Sequence, residues 1–409
     1  MKITTTSRSE LNVKLGLKEN WLQFTLLVIV NAFVGGMVGL ERSILPKLAA
    51  EEFAITGATA VLSFIVVFGF VKATSNYYAG RLAGTLGRKN TLILGWIFGL
   101  PIPFILIWTS SWNWVVFANI LLGINQGLAW SSTVVMKIDL VGEKQRGFAM
   151  GINEFAGYLS IAVVAYVTAS IADTYGVRPY PFYIGIGLAV LGFLVTVLFV
   201  RDTLNHLDTE ASNSSLKRLK NPFLQVSLTD RNLGAITQAG LINNLNDGMV
   251  WGILPILLIS RGYSMTEIGI IVGTYPAVWG VGQIATGKIA DHFNKKKMLS
   301  TGMFLQAIAL LLFLWADSFV IFITLAIILG LGTAIVYPTF LATIAELLHP
   351  GDRANGIGIF RLWRDSGYAI GAFLTGLLAD SFGYNAAIAT IATLTFLSAL
   401  FLTTRMRLK

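Results

Sequence analysis

GRLAGTLGRKN, residues 80–90, returns 207 positions later as GKIADHFNKKK, residues 287–297, and each copy sits between two long apolar runs. The copies share a leading glycine and a basic cluster, but Gly84 stands where the second copy has Asp291. Working outward, the same offset of 207 pairs Gly123 with Gly330, Trp130 with Tyr337, Asp139 with Glu346, Arg146 with Arg353, Asp173 with Asp380 and Gly176 with Gly383. Chance would not hold register over about 97 residues. Nearer the N-terminus the register shifts: Asn31 pairs with Asn243, and GMV at 36–38 with GMV at 248–250, at an offset of 212. ILP at 44–46 then meets ILP at 253–255 at an offset of 209, so three residues around Glu41, Arg42 and Ser43 are extra in the first half. The chain is a duplication. Its two units, residues 1–200 and 231–409, are joined by a polar linker at 201–230 that carries Asn213, Ser214, Ser215, Lys217, Arg218 and Lys220.

Of 409 residues, 55% are hydrophobic and only 12% charged, with a mean hydropathy of +0.70. Soluble domains carry about 25% charged residues, so this chain cannot clothe a water-facing surface. Lipid is its expected solvent. A net charge of +9 would suit nucleic acid only if it clustered on one soluble face, and here it is scattered over short loops. No nucleic-acid partner is therefore expected. With no cysteine, disulfides and thiolate metal sites are excluded. His206, His292 and His349 all fall in polar connections, which excludes a histidine proton relay inside the membrane. Neither a nucleotide-phosphate loop nor a metal-ligand cluster is present, so no cofactor, metal or covalent catalysis is expected. The apolar run from residue 21 is much longer than a signal-peptide core, and reads as retained membrane helix.

Crossing about 30 Å of hydrocarbon takes roughly 20 helical residues. Twelve runs fit, at 21–45, 57–79, 91–109, 114–136, 147–170, 181–200, 233–259, 265–287, 298–316, 319–345, 355–378 and 384–403. Lysine and arginine bias orients them. One side holds the N-terminal tail, Arg81, Arg88, Lys89, Lys137, Lys144, Arg146, the linker, Lys288, Lys295, Lys296, Lys297, Arg353 and the C-terminal tail. The other side holds only Arg42, Lys47, Arg178 and Arg261. Both termini are thus expected in the cytoplasm of a multi-pass cell-membrane protein, which agrees with an even number of spans.

Two parallel six-helix repeats with a glycine and basic loop after the second helix of each resemble the major facilitator superfamily, over essentially the whole chain. The resemblance implies an all-α membrane fold of two pseudo-symmetric bundles that rock about a central site, working as a monomer. The family loop runs Gly-x-x-x-Asp-x-x-Gly-Arg-Lys/Arg. The first half supplies Gly80, Gly87, Arg88 and Lys89 but has Gly84 for the aspartate; the second supplies Gly287, Asp291, Lys295 and Lys296, with Asn294 for the later glycine. The glycines permit a tight turn, the aspartate can accept backbone hydrogen bonds at a helix N-terminus, and the bases can pair with acids at neighbouring helix ends. Asp139 and Glu143 follow the fourth span and Glu346 the tenth; with Arg146 and Arg353 they complete an expected gate on the cytoplasmic side.

Ionisable groups within spans are costly and are functional candidates by default. Asp247, in the middle of the seventh span, shares a helical face with Asn243 and Trp251 and is the first candidate for proton exchange, Glu154 the second. A packing role for Asp247, bonded to Asn31, Asn243 or Asn244, stays open. Glu154 falls opposite Arg361 by the repeat offset, while Arg361 and Asp365 have ion-pairing spacing. The resemblance puts the second helix beside the eleventh, so Lys72, Arg361, Arg364 and Asp365 are expected to form one network, structural or anion-binding. Asn31, Asn125, Gln126, Trp130, Asn243, Asp247, Trp251, Thr333 and Tyr337 would contact a small organic solute. Glu41 and Arg42 would mark an outer gate or a solvated helix end.

Two departures weaken a drug-antiporter assignment: Asn119 stands where such exporters carry an arginine in the fourth span, and GINEFAGYLSIA lacks their Gly-Pro pair. The expected function is a proton-coupled secondary transporter, with export preferred over uptake. An uncoupled facilitator or organic-anion exchanger using Arg361 and Arg364, and a lipid-handling or non-transporting sensor protein, remain alternatives. If the acid retained in one loop alone carries the latch, Asp291→Asn impairs solute uptake into proteoliposomes more than Gly84→Ala; equal effects remove the asymmetry.

Overall fold

A computed structural model describes residues 13–42, 44–55, 58–142, 145–212, 214–263 and 265–407. Among these the chain is helical, with no strand. Twelve long helical stretches follow the expected order: α1 (Trp21–Arg42), α3 (Ala58–Thr85), α4 (Arg88–Gly99) with α5 (Ile102–Trp108), α6 (Trp112–Asn125) with α7 (Ser131–Val141), α8 (Arg146–Tyr175), α9 (Tyr180–Leu198), α12 (Arg231–Ser260), α13 (Met265–Ala290), α14 (Lys295–Leu312), α15 (Phe319–Leu347), α16 (Pro350–Phe382) and α17 (Tyr384–Arg405). Shorter helices are α2 (Leu45–Phe53), α10 (Leu204–Ser212) and α11 (Pro222–Leu224). Seven stretches are long and apolar enough to cross a membrane by length and composition: those at Trp21–Glu41, Arg88–Trp108, Arg146–Tyr175, Tyr180–Leu198, Lys295–Trp315, Phe319–Leu347 and Tyr384–Arg405. The other five hold most of the intramembrane charges, Lys72, Asp247, Arg361, Arg364 and Asp365 among them. Outward faces expose Leu194, Leu198, Val320, Phe373 and Phe396, an apolar girdle suited to lipid.

Several boundaries differ from the expected spans for identifiable reasons. The first span ends at Arg42 rather than 45, and Pro46 opens a separate helix, α2. Pro101 splits the third span, because it has no N–H to donate to the turn before it. The fourth span runs past its expected end at 136 to Val141, where Gly142 turns the chain out at φ +68°. Lys137, read as a loop charge, is therefore fully buried. A π-helical turn at Gln126–Trp130 joins α6 to α7. The linker, expected to be merely polar, forms α10, which packs against α16 and α7. Glu143 and the side chain of Arg42 lie outside the described residues.

The halves meet along two repeat-related seams, α3 against α16 and α8 against α13. Without a hydrophobic drive between helices in lipid, close backbone approach at small residues supplies the contact. A Cβ on Gly80 would lie 2.4 Å from the Ala354 carbonyl oxygen; on its repeat partner Gly287, 2.5 Å from that of Gly147. On Gly151 it would lie 2.2 Å from the Gln283 carbonyl oxygen. Gly151→Val is expected to force the seam apart at a cost of about 1–3 kcal/mol, read as a lower Tm in detergent. Gly187, where a Cβ meets nothing within 4 Å, is the control: Gly187→Ala should not lower it.

Candidate functional site

Each repeat sends one aromatic ring and one charge to the same buried spot. Trp130 and Glu154 come from the first half, and their partners at the 207-residue offset, Tyr337 and Arg361, from the second. The Arg361 guanidinium lies 3.3 Å from Glu154 Oε1 and donates to Tyr337 Oη at 3.1 Å and Ser131 Oγ at 3.2 Å. Trp130 Nε1 and Asn153 Nδ2 donate to the same Glu154 oxygen, at 3.0 and 2.8 Å. Asn153 Oδ1 in turn accepts from Lys137 Nζ at 2.6 Å. Removing one member of such a buried pair strands the other charge, which typically costs about 3–5 kcal/mol.

One turn further along α16 the expected network forms with a change of partners. Asp365 accepts from Arg364 Nη1 at 3.0 Å and from Asn76 Nδ2 at 2.5 Å, and lies 3.9 Å from Lys72 Nζ. Arg361 does not pair with Asp365, despite their spacing, because Glu154 and Tyr337 approach it from across the interface. Arg364 stacks on the Tyr337 ring at 3.9 Å and lies 3.9 Å from Asp247 Oδ2. Its Nε and Nη2 have no hydrogen-bond partner among the described residues. Asp247 accepts from the Tyr275 hydroxyl, which is itself 3.1 Å from Thr333 Oγ1.

These groups floor a cavity of about 510 Å³ in the half of the molecule away from the termini. Lys72, Gln126, Trp130, Asp247, Trp251, Arg364 and Asp365 line it, as the sequence leads one to expect. Tyr158, Trp279, Tyr368, Phe68 and Asn244 line it too, unforeseen. The face of α12 that meets the cavity runs Asn244, Asp247, Trp251; Asn243 turns aside to donate to Gln306 at 2.9 Å. Asn31 and Asn125 are likewise spent within their bundle, donating to the Asn153 carbonyl at 2.6 Å and the Gly95 carbonyl at 2.9 Å. Thr333, Tyr337, Glu154 and Arg361 lie behind the lining. Glu41 is buried near the small gap between α1, α3 and α6 rather than solvated. Tyr158 is the repeat counterpart of Asp365 and Trp279 that of Lys72, so the offset held a signal for both.

The residues expected to form a gate lie together at the end that carries the termini. Arg88 Nε pairs with Asp139 at 3.2 Å, and the repeat-related Lys295 with Glu346 at 2.6 Å. Gly87, at φ +90°, adopts the left-handed turn that aims Arg88 inward. Asp291 accepts from the backbone N–H groups of Gly147 at 2.6 Å and Phe148 at 3.0 Å, capping α8 across the seam. At Gly84 the equivalent cap is missing, and a Cβ there would meet nothing within 4 Å. The repeat-related Arg146 and Arg353 converge on one linker residue, Glu210: Arg353 donates two hydrogen bonds to it, at 2.8 and 2.9 Å, and Arg146 one. No sequence signal pointed to Glu210, because it has no repeat counterpart.

Burial alone would raise the Glu210 carboxyl, but Arg353 and then Arg146 outweigh it and hold it below the usual glutamate range. Burial pushes Asp291 up, against the pull of the Phe148 and Gly147 N–H groups. The depressed Glu210 value means that the clasp contributes fully above the unfolded pKa and is lost as pH falls through the lower folded one. A single cysteine at Val141, buried beside the clasp in a chain otherwise free of cysteine, should accordingly label slowly through the ordinary glutamate range. Glu210→Gln, which leaves two guanidinium groups facing each other, should speed that labelling several-fold at neutral pH.

The family model described as Major Facilitator Superfamily matches residues 25–235 and 236–408. The chain is 26% identical over 378 residues to the "Proton-coupled antiporter flippase LtaA" of Staphylococcus haemolyticus, covering 89% of this chain and 88% of that one. It is 23% identical to the "Multidrug resistance protein MdtG" of Citrobacter koseri, covering 93% and 94%. In fold it is similar to the crystal structure of the human organic anion transporter MFSD10, with a TM-score of 0.79, 15% identity, and coverage of 94% and 99%. The model match, running through both halves and dividing them just past the linker, shows that the chain is a multi-pass membrane protein of the Major Facilitator Superfamily.

Proposed function

We propose that this transporter moves a small organic acid by alternating access, coupled to protons, as a monomer in the cell membrane with both termini cytoplasmic. The observation that carries the reading is Arg364: buried, held from behind by Tyr337, lining the cavity, with Nε free of a hydrogen bond among the described residues and Nη2 held only by Asp247 at 3.9 Å. A planar guanidinium with free donors matches a carboxylate or phosphate oxygen pair. Lys72 lies on the same floor, and the rings of Trp130, Tyr158, Trp251 and Trp279 suit the apolar body of the solute. The contacts from Arg88 to Glu210 support a state shut on the cytoplasmic side.

Asp247 supplies the coupling. An anion arriving beside Asp247 and Asp365 adds negative charge to a buried floor, and a proton on Asp247 offsets it while releasing Arg364 to the newcomer. Anion and proton then stabilise each other on the site, which drives them in the same direction. The export direction expected from sequence would instead need solute and proton to exclude each other from the site. The name of the LtaA relative also gives proton coupling, but as an antiporter, in which solute and proton move in opposite directions. A second reading, exchange of one anion for another without protons, draws on the same Arg364. The two readings separate in proteoliposomes: Asp247→Asn should abolish accumulation driven by a proton gradient and spare solute exchange. Arg364→Ala should weaken acid binding by about tenfold or more in both modes. Accumulation that survives in Asp247→Asn would sink the coupling role.

A further inference from the structure

The repeat that relates Glu154 to Arg361 breaks down directly behind the acid. In the first half Lys137, Thr133 and Asn153 are fully buried there: Lys137 Nζ donates to Asn153 Oδ1 at 2.6 Å, and Thr133 Oγ1 to Asn31 Oδ1 at 2.9 Å. Their counterparts at the 207-residue offset are Ile344, Phe340 and Phe360, with the two rings packed at 5.7 Å between centroids. Packing alone therefore does not call for a lysine, since the second half fills the same place with apolar side chains. A buried amine needs several acceptors or an acid. Lys137 has the single acceptor Asn153 Oδ1 among the described residues, and the charges that bear on it are those of Glu154 and Arg361. One amide separates it from the acid: Asn153 Nδ2 donates to Glu154 Oε1 at 2.8 Å. The other carboxylate oxygen, Oε2, has no hydrogen-bond partner among the described residues.

Membership of the two halves gives this arrangement its meaning. Lys137 on α7 and Asn153 and Glu154 on α8 travel together, whereas Arg361 on α16 travels with the other half. Parting the halves leaves the carboxylate in its bundle and draws the guanidinium away with Tyr337, to which it donates at 3.1 Å. A lone carboxylate in a dry core is costly. We propose that Lys137 is the reserve partner of Glu154: as Arg361 withdraws, the lysine leaves Asn153 and its ammonium takes the carboxylate at the open Oε2. The flexible stem of lysine permits the move. Asn153 Oδ1 is not orphaned by it, because Thr133 Oγ1 already stands 3.4 Å away. Lys137 is thus a positioning residue that acts through Glu154. The proposal rests on the alternating access inferred above and is independent of what the cavity binds.

Labelling of Val141→Cys in proteoliposomes reads opening at the termini end. In that background Lys137→Gln keeps a donor for Asn153 and removes the charge, and should slow labelling about tenfold or more, since opening then strands the carboxylate. Combined with Glu154→Gln, which leaves no carboxylate to strand, the same substitution should change the rate by less than about twofold. Equal slowing in both backgrounds makes Lys137 a packing residue, and no slowing in either leaves Glu154 served by another group; each overturns the exchange. Where the Glu154→Gln chain does not fold, Lys137→Arg decides. Returning a charge should bring labelling to within about threefold of the Val141→Cys rate, and a rate as slow as that of Lys137→Gln overturns the exchange. A Val141→Cys chain that never labels removes alternating access, and the exchange with it.

Discussion

A charge in the middle of a bilayer needs a partner, and the ion pair of Glu154 with Arg361 is the interaction on which this structure depends. It joins one half to the other, at positions related by the repeat itself. Neither residue is exposed, and each is tied into further bonds: Trp130 and Asn153 on the acid, Tyr337 and Ser131 on the base. Halves that move relative to one another must keep this pair or replace it. It lies between the cavity on one side and the clasp on the other.

The seams bring the halves together largely through backbone. Backbone approaches backbone at Gly80, Gly147, Gly151 and Gly287, which gives contact without side chains that would have to unlock. Beyond that, the termini end is joined by charge: Asp291 on the α8 N-terminus, Arg353 near Asp139, and Glu210 beneath both repeat-related arginines. Arg353, Asp139, Arg146 and Glu210 are all buried, so separating them would leave charges that must find water or new partners.

Much of this was legible in advance. The repeat offset named Glu154 with Arg361, Trp130 with Tyr337, and Arg88 with Asp139 as counterparts of Lys295 with Glu346, because duplication preserves contacts as well as residues. Helix periodicity was less reliable. It placed Asn243 in the cavity, when a rotation of one residue puts Asn244 there, and it paired Arg361 with Asp365 because spacing along one helix says nothing of what approaches from the next. Lys137 was misplaced because a loop lysine and a buried one look alike until the helix end is known. Glu210 was missed because a linker has no counterpart in the repeat.

By itself, then, the amino-acid sequence determined the solvent, the duplication, the number of long helices and the residue types that had to be buried. Each follows from local quantities: run length, hydropathy and the spacing of like residues. Tertiary structure decided which charges meet and where the cavity lies. Those depend on distances of a few ångströms between segments far apart in the chain.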